Sequence, residues 1–207
     1  SGLSQSALSQ HLARLREANV SGPVEITVNP DGDDVLVWTA KQIRRLTQAF
    51  PDAQSFESDE DRHQFLYDGV PIVNGAFSQS SLPLNRLLRS TVHDALHGAA
   101  SVLDLYCGSG NFSLALGAEV VGIDHNRAII QAAQALNRHD YRIGYESDYN
   151  RAIAEKQWDA IVLDPPRTGA KEIMQPLAKS NASRIVYISC DPATLARDAK
   201  VLIKSGW

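Results

Sequence analysis

The stretch SVLDLYCGSGNF, residues 101–112, decides the fold. Ser101–Leu105 reads as a strand, and Gly108 and Gly110 follow it, where a tight turn and close backbone approach to a ligand are needed. Beyond it the pattern alternates. A helix is expected near Asn111–Leu116, then strand Glu119–Ile123, helix Arg127–Asn137 and strand Tyr141–Tyr145. Strand Asp159–Leu163, helix Lys171–Lys179, strand Arg184–Ser189 and helix Pro192–Ile203 complete the series. Strands separated by helices predict βαβ units and a doubly wound, mostly parallel α/β sheet. Ligands of such sheets lie beyond the carboxyl ends of the strands, and every motif discussed below falls at one of those ends.

Toward the N-terminus, Leu84, Leu87, Leu88, Val92 and Leu96 fit one face of a helix. Before Leu82 the texture differs. Leu8, Leu12 and Leu15 predict a short helix over Ser6–Ala18, and VEITV and VLVWT flank NPDGDD as a hairpin. Lys41–Phe50 reads as a helix ended by Pro51, and His63–Val73 as a second hairpin turning near Asp68-Gly69. The expected organisation is a small α+β subdomain over residues 1–80 and the doubly wound domain over 81–207.

Composition sets bounds on what the chain can be. Its 207 residues suit one α/β domain plus a smaller piece, and 43% hydrophobic content is ordinary for a globular core. No apolar run approaches the roughly 20 residues of a membrane span, and SGLSQSALSQ lacks the basic start of a secretory signal. Two cysteines are too few for a disulfide framework or a cysteine-ligated metal. A reduced, cytoplasmic, metal-free protein is the expectation. The formal net charge of −4 neither supports nor excludes a nucleic-acid partner, because Pro51–Asp68 is acidic while the last third is rich in Lys and Arg.

The glycine turn narrows the cofactor. A GxGxxG dinucleotide fingerprint would need glycine at position 113, which is Ser113. Asp104, an acid at the strand end before the glycines, suits a cationic ligand better than a pyrophosphate. S-adenosylmethionine carries an ammonium and a sulfonium and no phosphate, so the methyl donor is favoured over a nicotinamide cofactor. Asp124 ends the next strand, where a carboxylate can accept from ribose hydroxyls, a role NAD enzymes share. Asp148 either reaches an adenine amino group or caps a helix. Cys107 reads as a small packing residue.

Asp164-Pro165-Pro166-Arg167 follows the strand DAIVL, and two prolines there make a stiff loop whose carbonyls can face a ligand. Arg167 stands where exocyclic-amine methylases carry a stacking aromatic. On the next strand, RIVYISCDPATLARD places Cys190 beside Asp191-Pro192, the cap and first residue of a helix. A helix amino terminus favours thiolate, the neighbouring carboxylate opposes it, and Arg167 or Arg197 can offset that carboxylate. Thiolate addition at carbon-6 of uracil makes carbon-5 nucleophilic toward a sulfonium methyl. A lone cysteine at a strand end is commonly structural; behind an Asp-Pro-Pro loop and a cap, the nucleophile is the stronger reading.

These residues resemble the RNA uracil-5-methyltransferases, which form 5-methyluridine in tRNA and ribosomal RNA. The strings DLYCGSGNFSLAL, DPPRTG and YISCDPATLARD carry the likeness, with FSQ at Phe77–Gln79, over about residues 75–207. The resemblance implies a Rossmann-like methyltransferase fold, S-adenosylmethionine as cofactor and an RNA substrate. It implies Cys190 as nucleophile and Asp164, Pro165 and Arg167 as substrate contacts. Gln79, Asp104, Tyr106, Gly108, Gly110, Asp124, Asp148 and Asp164 are the implied cofactor contacts. Asp191 stands where the family usually has asparagine, Ser80-Ser81 where it has Val-Asn, and its N-terminal barrel and iron–sulfur cysteines have no counterpart here. The family's proton-abstracting glutamate falls in a segment beyond Trp207. The resemblance therefore implies a chain lacking the C-terminal segment, one that forms the uracil adduct but turns over poorly. Glu172 and Asp198 are the acids left nearby. His93 and His97 read as a solvated helix face, Asp59-Glu60-Asp61 as a solvated loop, and Trp38 and Trp158 as core.

Overall fold

A computed structural model describes residues 13–17, 23–40, 44–55 and 62–207. They form two compact units, Ser1–Asn85 and Arg86–Trp207. Residues 13–17 are helical; the rest of the expected Ser6–Ala18 helix, and the acidic cluster at 59–61, lie outside the described residues.

In the first unit, β1 (Val24–Val28) and β2 (Val35–Thr39) pair antiparallel, and β3 (Gln54–Ser55) adds parallel to β2. The turn is closed by Asn29, whose amide donates to Asp34 Oδ2 at 2.8 Å. Helix α1 (Arg44–Ala49) follows β2. Strands β4 (Gln64–Tyr67) and β5 (Val70–Val73) make the second expected hairpin. Asp68 and Gly69 both take positive φ, 50° and 78°, as a two-residue turn matched to strand twist demands. Leu36, Phe65, Tyr67, Ile72 and Leu82 form its core, and Trp38 is buried as read from sequence.

Helix α2 (Leu82–Ala95) carries the boundary between the units. The expected apolar face is only partly right. Leu88, Val92 and Leu96, in steps of four, pack into the core of the second unit, whereas Leu84 and Leu87 are each 69% exposed.

The second unit is the doubly wound sheet. Its strands are β6 (Ser101–Leu105), β7 (Glu119–Asp124), β8 (Asp140–Ile143), β9 (Ala160–Leu163) and β10 (Ile185–Tyr187). They lie in the order β10-β9-β6-β7-β8, all parallel. Side-chain alternation splits the core in two. Leu103, Leu105, Ile161 and Leu163 point to one face, against Tyr149, Ile153 and Trp158 and, beyond them, Ile173, Leu177 and Leu202. Val102, Ala160 and Val162 point to the other, against Val92, Leu96 and Phe112. The chain runs outward from β6 to β8, then returns past β6 to β9. The switch point therefore lies between β6 and β9, where Leu105 pairs with Leu163.

Helices α3 (Arg127–Gln134) and α6 (Pro192–Lys204) stand where expected. Three readings need correction. Residues 108–115 are a run of turns, not a helix: Leu114 N donates to Gly110 O four residues back, but Gly110, Ser113 and Leu116 close tighter three-residue bonds. Left-handed backbone at Tyr106, Gly108 and Gly110 breaks the helical path. Sequence reading also missed helix α4 (Glu146–Glu155), whose inward residues Tyr149, Ala152 and Ile153 follow helical spacing within a polar run. The helix over Lys171–Lys179 opens as a 3₁₀ turn, Lys171–Ile173, before α5 (Met174–Ala178).

Candidate functional site

The ladder registers bring the ends of β6, β7, β9 and β10 to one edge, with Leu105 opposite both Ile123 and Leu163, and Leu163 opposite Tyr187. Asp104 sits one residue from the end of the central strand, fully buried, and neither carboxylate oxygen has a hydrogen-bond partner. Burial pushes its pKa up to about 7; the Ser113 hydroxyl opposes this, and the charges of Asp164 and Asp124 add to it. Asp164, at the end of β9, is raised to about 6 by burial. Burial thus disfavours the charged form of two neighbouring carboxyls at the switch point.

The glycine turn is shaped from beneath. Gly108 (φ 56°) has open space where a Cβ would stand. At Gly110 (φ 84°) a Cβ would lie 2.4 Å from Tyr141 Oη, so the loop rests on that ring. Tyr141 Oη in turn pairs with Ser113 Oγ at 3.1 Å. Tyr106 holds φ at 57°, unfavourable for a residue with a side chain, and packs edge-on against Tyr149 at 4.7 Å. Asp124 stabilises the same loop: Oδ2 accepts from Gly108 N at 3.1 Å and Oδ1 from Asn126 N at 2.9 Å. Asn126 caps α3 through Ala128 N.

Asp148, for which sequence left two roles open, has its oxygens in use. One accepts from Tyr145 N at 3.0 Å at the start of α4, the other from Arg151 at 3.3 Å. This fills the cap role. Gln79 belongs to the first unit, between β5 and α2.

The 164–169 loop is tied to β6 by Asp164 N donating to Leu105 O and closed by Gly169 N on Pro166 O at 2.8 Å. Pro165 is buried; Pro166 and Arg167 are exposed. Cys190, just beyond β10, is exposed, whereas Cys107 is buried and burial pushes its thiol well up. Asp191 caps α6 as read, its Oδ1 accepting from Thr194 N at 2.8 Å. The Thr194 amide, with the Arg167 charge adding, holds the Asp191 carboxyl below its usual range. That carboxylate is thus committed to the helix end rather than facing the thiol alone.

Sequence reasoning missed Ser113, Tyr141 and Asn126, which support the loop from behind, and gave Asp198 no structural role. His93 Nε2 pairs with Phe112 O at 3.0 Å. Among the described residues no group of three or more His, Cys, Asp or Glu side chains is arranged to hold a metal, and no helix is long and apolar enough to cross a membrane.

A parallel sheet with its switch point at a glycine turn and a buried acid defines a Rossmann-like methyltransferase fold. The crystal structure of the Pyrococcus abyssi tRNA (uracil-54, C5)-methyltransferase in complex with S-adenosyl-L-homocysteine matches it with a TM-score of 0.70 at 22% identity, over 96% of this chain and 60% of that one. Sequence narrows the class. Residues 146–206 match the family model described as tRNA (Uracil-5-)-methyltransferase. The chain is 43% identical over 147 residues to the 23S rRNA (uracil(1939)-C(5))-methyltransferase RlmD of Psychrobacter arcticus, covering 63% of this chain and 29% of that protein. To the RlmD of Aeromonas hydrophila it is 33% identical over 216 residues, 97% of this chain and 46% of the relative. By sequence the chain is similar to the RNA uracil-5-methyltransferases, and it spans less than half the length of these curated relatives.

Proposed function

We propose that this chain binds S-adenosylmethionine at the glycine turn and transfers its methyl group to carbon-5 of a uridine in RNA, with Cys190 as nucleophile. The observation that carries the reading is the exposed Cys190 sulfur at the same sheet edge as the Asp164 loop and the glycine turn.

The residues present fit the cofactor. Asp104 is a buried carboxyl raised by burial and by the charges of Asp164 and Asp124, opposed only by the Ser113 hydroxyl, and a cationic ligand would supply a counter-charge. Gly108 leaves room for close approach, and Asp124 holds that glycine in place while presenting lone pairs at the end of β7. The cofactor supplies an electrophilic methyl on a sulfonium. Tyr106 and Asp164 border the same turn, and Gln79 is a further contact by family resemblance. Asp148, whose Oδ2 accepts from Tyr145 N, keeps a free lone pair on each oxygen and is the proposed contact to the adenine amino group.

Cys190 does the chemistry on the base. Its sulfur bonds to carbon-6, and the carbon-5–carbon-6 electron pair moves onto the ring as an enolate. Carbon-5, now nucleophilic, would take the methyl group as the methyl–sulfur bond breaks, its electron pair staying on sulfur as a neutral thioether. A base then removes the carbon-5 proton, the carbon–sulfur bond breaks, and the double bond returns as the thiolate leaves. Asp164, Pro165 and Arg167 line the loop beside the thiol and are the proposed uracil contacts. The target base must leave its stack to reach the sulfur. An enzyme acting on RNA in this way would work in the cytoplasm.

Tritium release from RNA labelled at carbon-5 of uridine tests the scheme. Cys190→Ala is expected to abolish release while S-adenosylmethionine still binds by calorimetry. Release that survives the substitution sinks the nucleophile reading, and loss of both properties makes the cysteine structural.

A further inference from the structure

Asp198 on α6 is 1% exposed, yet it is surrounded by donors from three separate segments. Its Oδ2 accepts from Ala170 N at 2.8 Å and from Tyr187 Oη at 2.8 Å. Its Oδ1 accepts from Arg197 Nε at 2.8 Å and faces Arg197 Nη2 at 2.7 Å. Arg197 Nη2 also donates to Thr168 O at 2.9 Å. Ala170 and Thr168 belong to the loop that begins at Asp164, and Tyr187 lies three residues before Cys190.

Gly169 shows how close the approach is. A Cβ there would stand 2.5 Å from both Arg197 Nη2 and Asp198 Oδ2, and its φ is 77°. The loop can lie on the carboxylate only because this residue is glycine.

We infer that Asp198, with Arg197, is a positioning residue: one buried carboxylate that locks the Asp164–Ala170 loop against the strand end bearing Cys190. The inference rests on the reading of Cys190 as nucleophile. With its lone pairs occupied and almost no exposure, Asp198 cannot collect a proton from a substrate, so it is not the base that removes the carbon-5 proton. A buried ion pair contributes little net stability, because desolvation offsets the attraction; geometry is what it secures. Here that geometry places Arg167 near Asp191, which adjoins the thiol, and the Arg167 charge contributes to the depressed Asp191 carboxyl.

The test is the reactivity of Cys190 in the full 207-residue chain, followed as carboxamidomethylation by iodoacetamide with peptide mass spectrometry. Buried Cys107 is the internal control for an intact fold. In Asp198→Asn, which keeps an acceptor but loses the anion, Cys190 alkylation at pH 7 should slow at least threefold as the Arg167 loop loosens, while Cys107 stays protected. Tyr187→Phe removes only the strand-end bond and should slow alkylation less, in the same direction; it decides the matter if Asp198→Asn exposes Cys107. Alkylation within 1.5-fold of the unaltered chain in a variant that keeps Cys107 protected overturns the brace. Failure of the nucleophile reading is seen separately, as tritium release surviving in Cys190→Ala.

Discussion

Replacing Asp104 by asparagine should make the ligand-free chain more stable at pH 8 and worse at binding its cofactor. The carboxyl is fully buried, and its pKa rises from 3.8 to about 7 on folding. At about 1.4 kcal/mol per tenfold, holding it ionised costs the native state about 4 kcal/mol. The sign follows from proton binding. Between about pH 4 and pH 7 the native chain holds more protons than the unfolded one, so this group's contribution to stability is complete below pH 4 and is lost as pH rises through 7. Asparagine, nearly isosteric and uncharged, carries no such ionisation penalty. Urea unfolding should show Asp104→Asn more stable by about 2–4 kcal/mol at pH 8, allowing for imperfect accommodation of the amide, and nearly equal at pH 4. Calorimetry should show S-adenosylmethionine affinity reduced at least tenfold, because the counter-charge of a cationic ligand is gone. A variant less stable than the parent at pH 8, or one with the parent's full pH slope, refutes the account of Asp104.

Gly110→Ala forces a side chain into the left-handed region and toward Tyr141 Oη, and should cost about 2–4 kcal/mol in urea unfolding. Tyr141→Phe alone should cost about 1 kcal/mol for the Ser113 bond, yet be neutral or helpful in the Gly110→Ala background; strictly additive costs count against that contact. Asp124→Ala strands the amides of Gly108 and Asn126 and should lose about 2–3 kcal/mol together with at least tenfold in cofactor affinity; affinity within twofold would show that Asp124 does not organise the turn. Cys190→Ala, at an exposed position, should stay within about 0.5 kcal/mol of the parent, and a larger loss would mark a packing role.

Much of the second unit was legible because a buried parallel strand announces itself. AIVL at β9 and VVGID within β7 are apolar on both faces, and the turn glycines and helix caps punctuate them. Asp191 as the cap of α6 was read from Asp-Pro alone, since the side-chain acceptor and fixed proline φ act locally. Helix α4 was missed because ESDYNRAIAE is mostly polar, and its inward residues acquire meaning only against Trp158 and the sheet. Asn111–Leu116 was misread as a helix for the converse reason: its local spacing is helical, but the glycine turn preceding it and the Ser113–Tyr141 contact redirect the chain.

By itself, the sequence determined the alternating sheet, the glycine turn at the end of its central strand and the residue types that suit a methyl donor and a nucleophilic thiol. Those are consequences of short-range periodicity and side-chain chemistry. Only the tertiary structure decided that Asp104 is fully buried, that Asp148 accepts from the backbone at the start of its own helix and that Asp198 ties the 164–170 loop to β10. Burial and pairing depend on which distant segments meet, as Ala170 and Tyr187 meet Asp198, and no local pattern encodes that encounter.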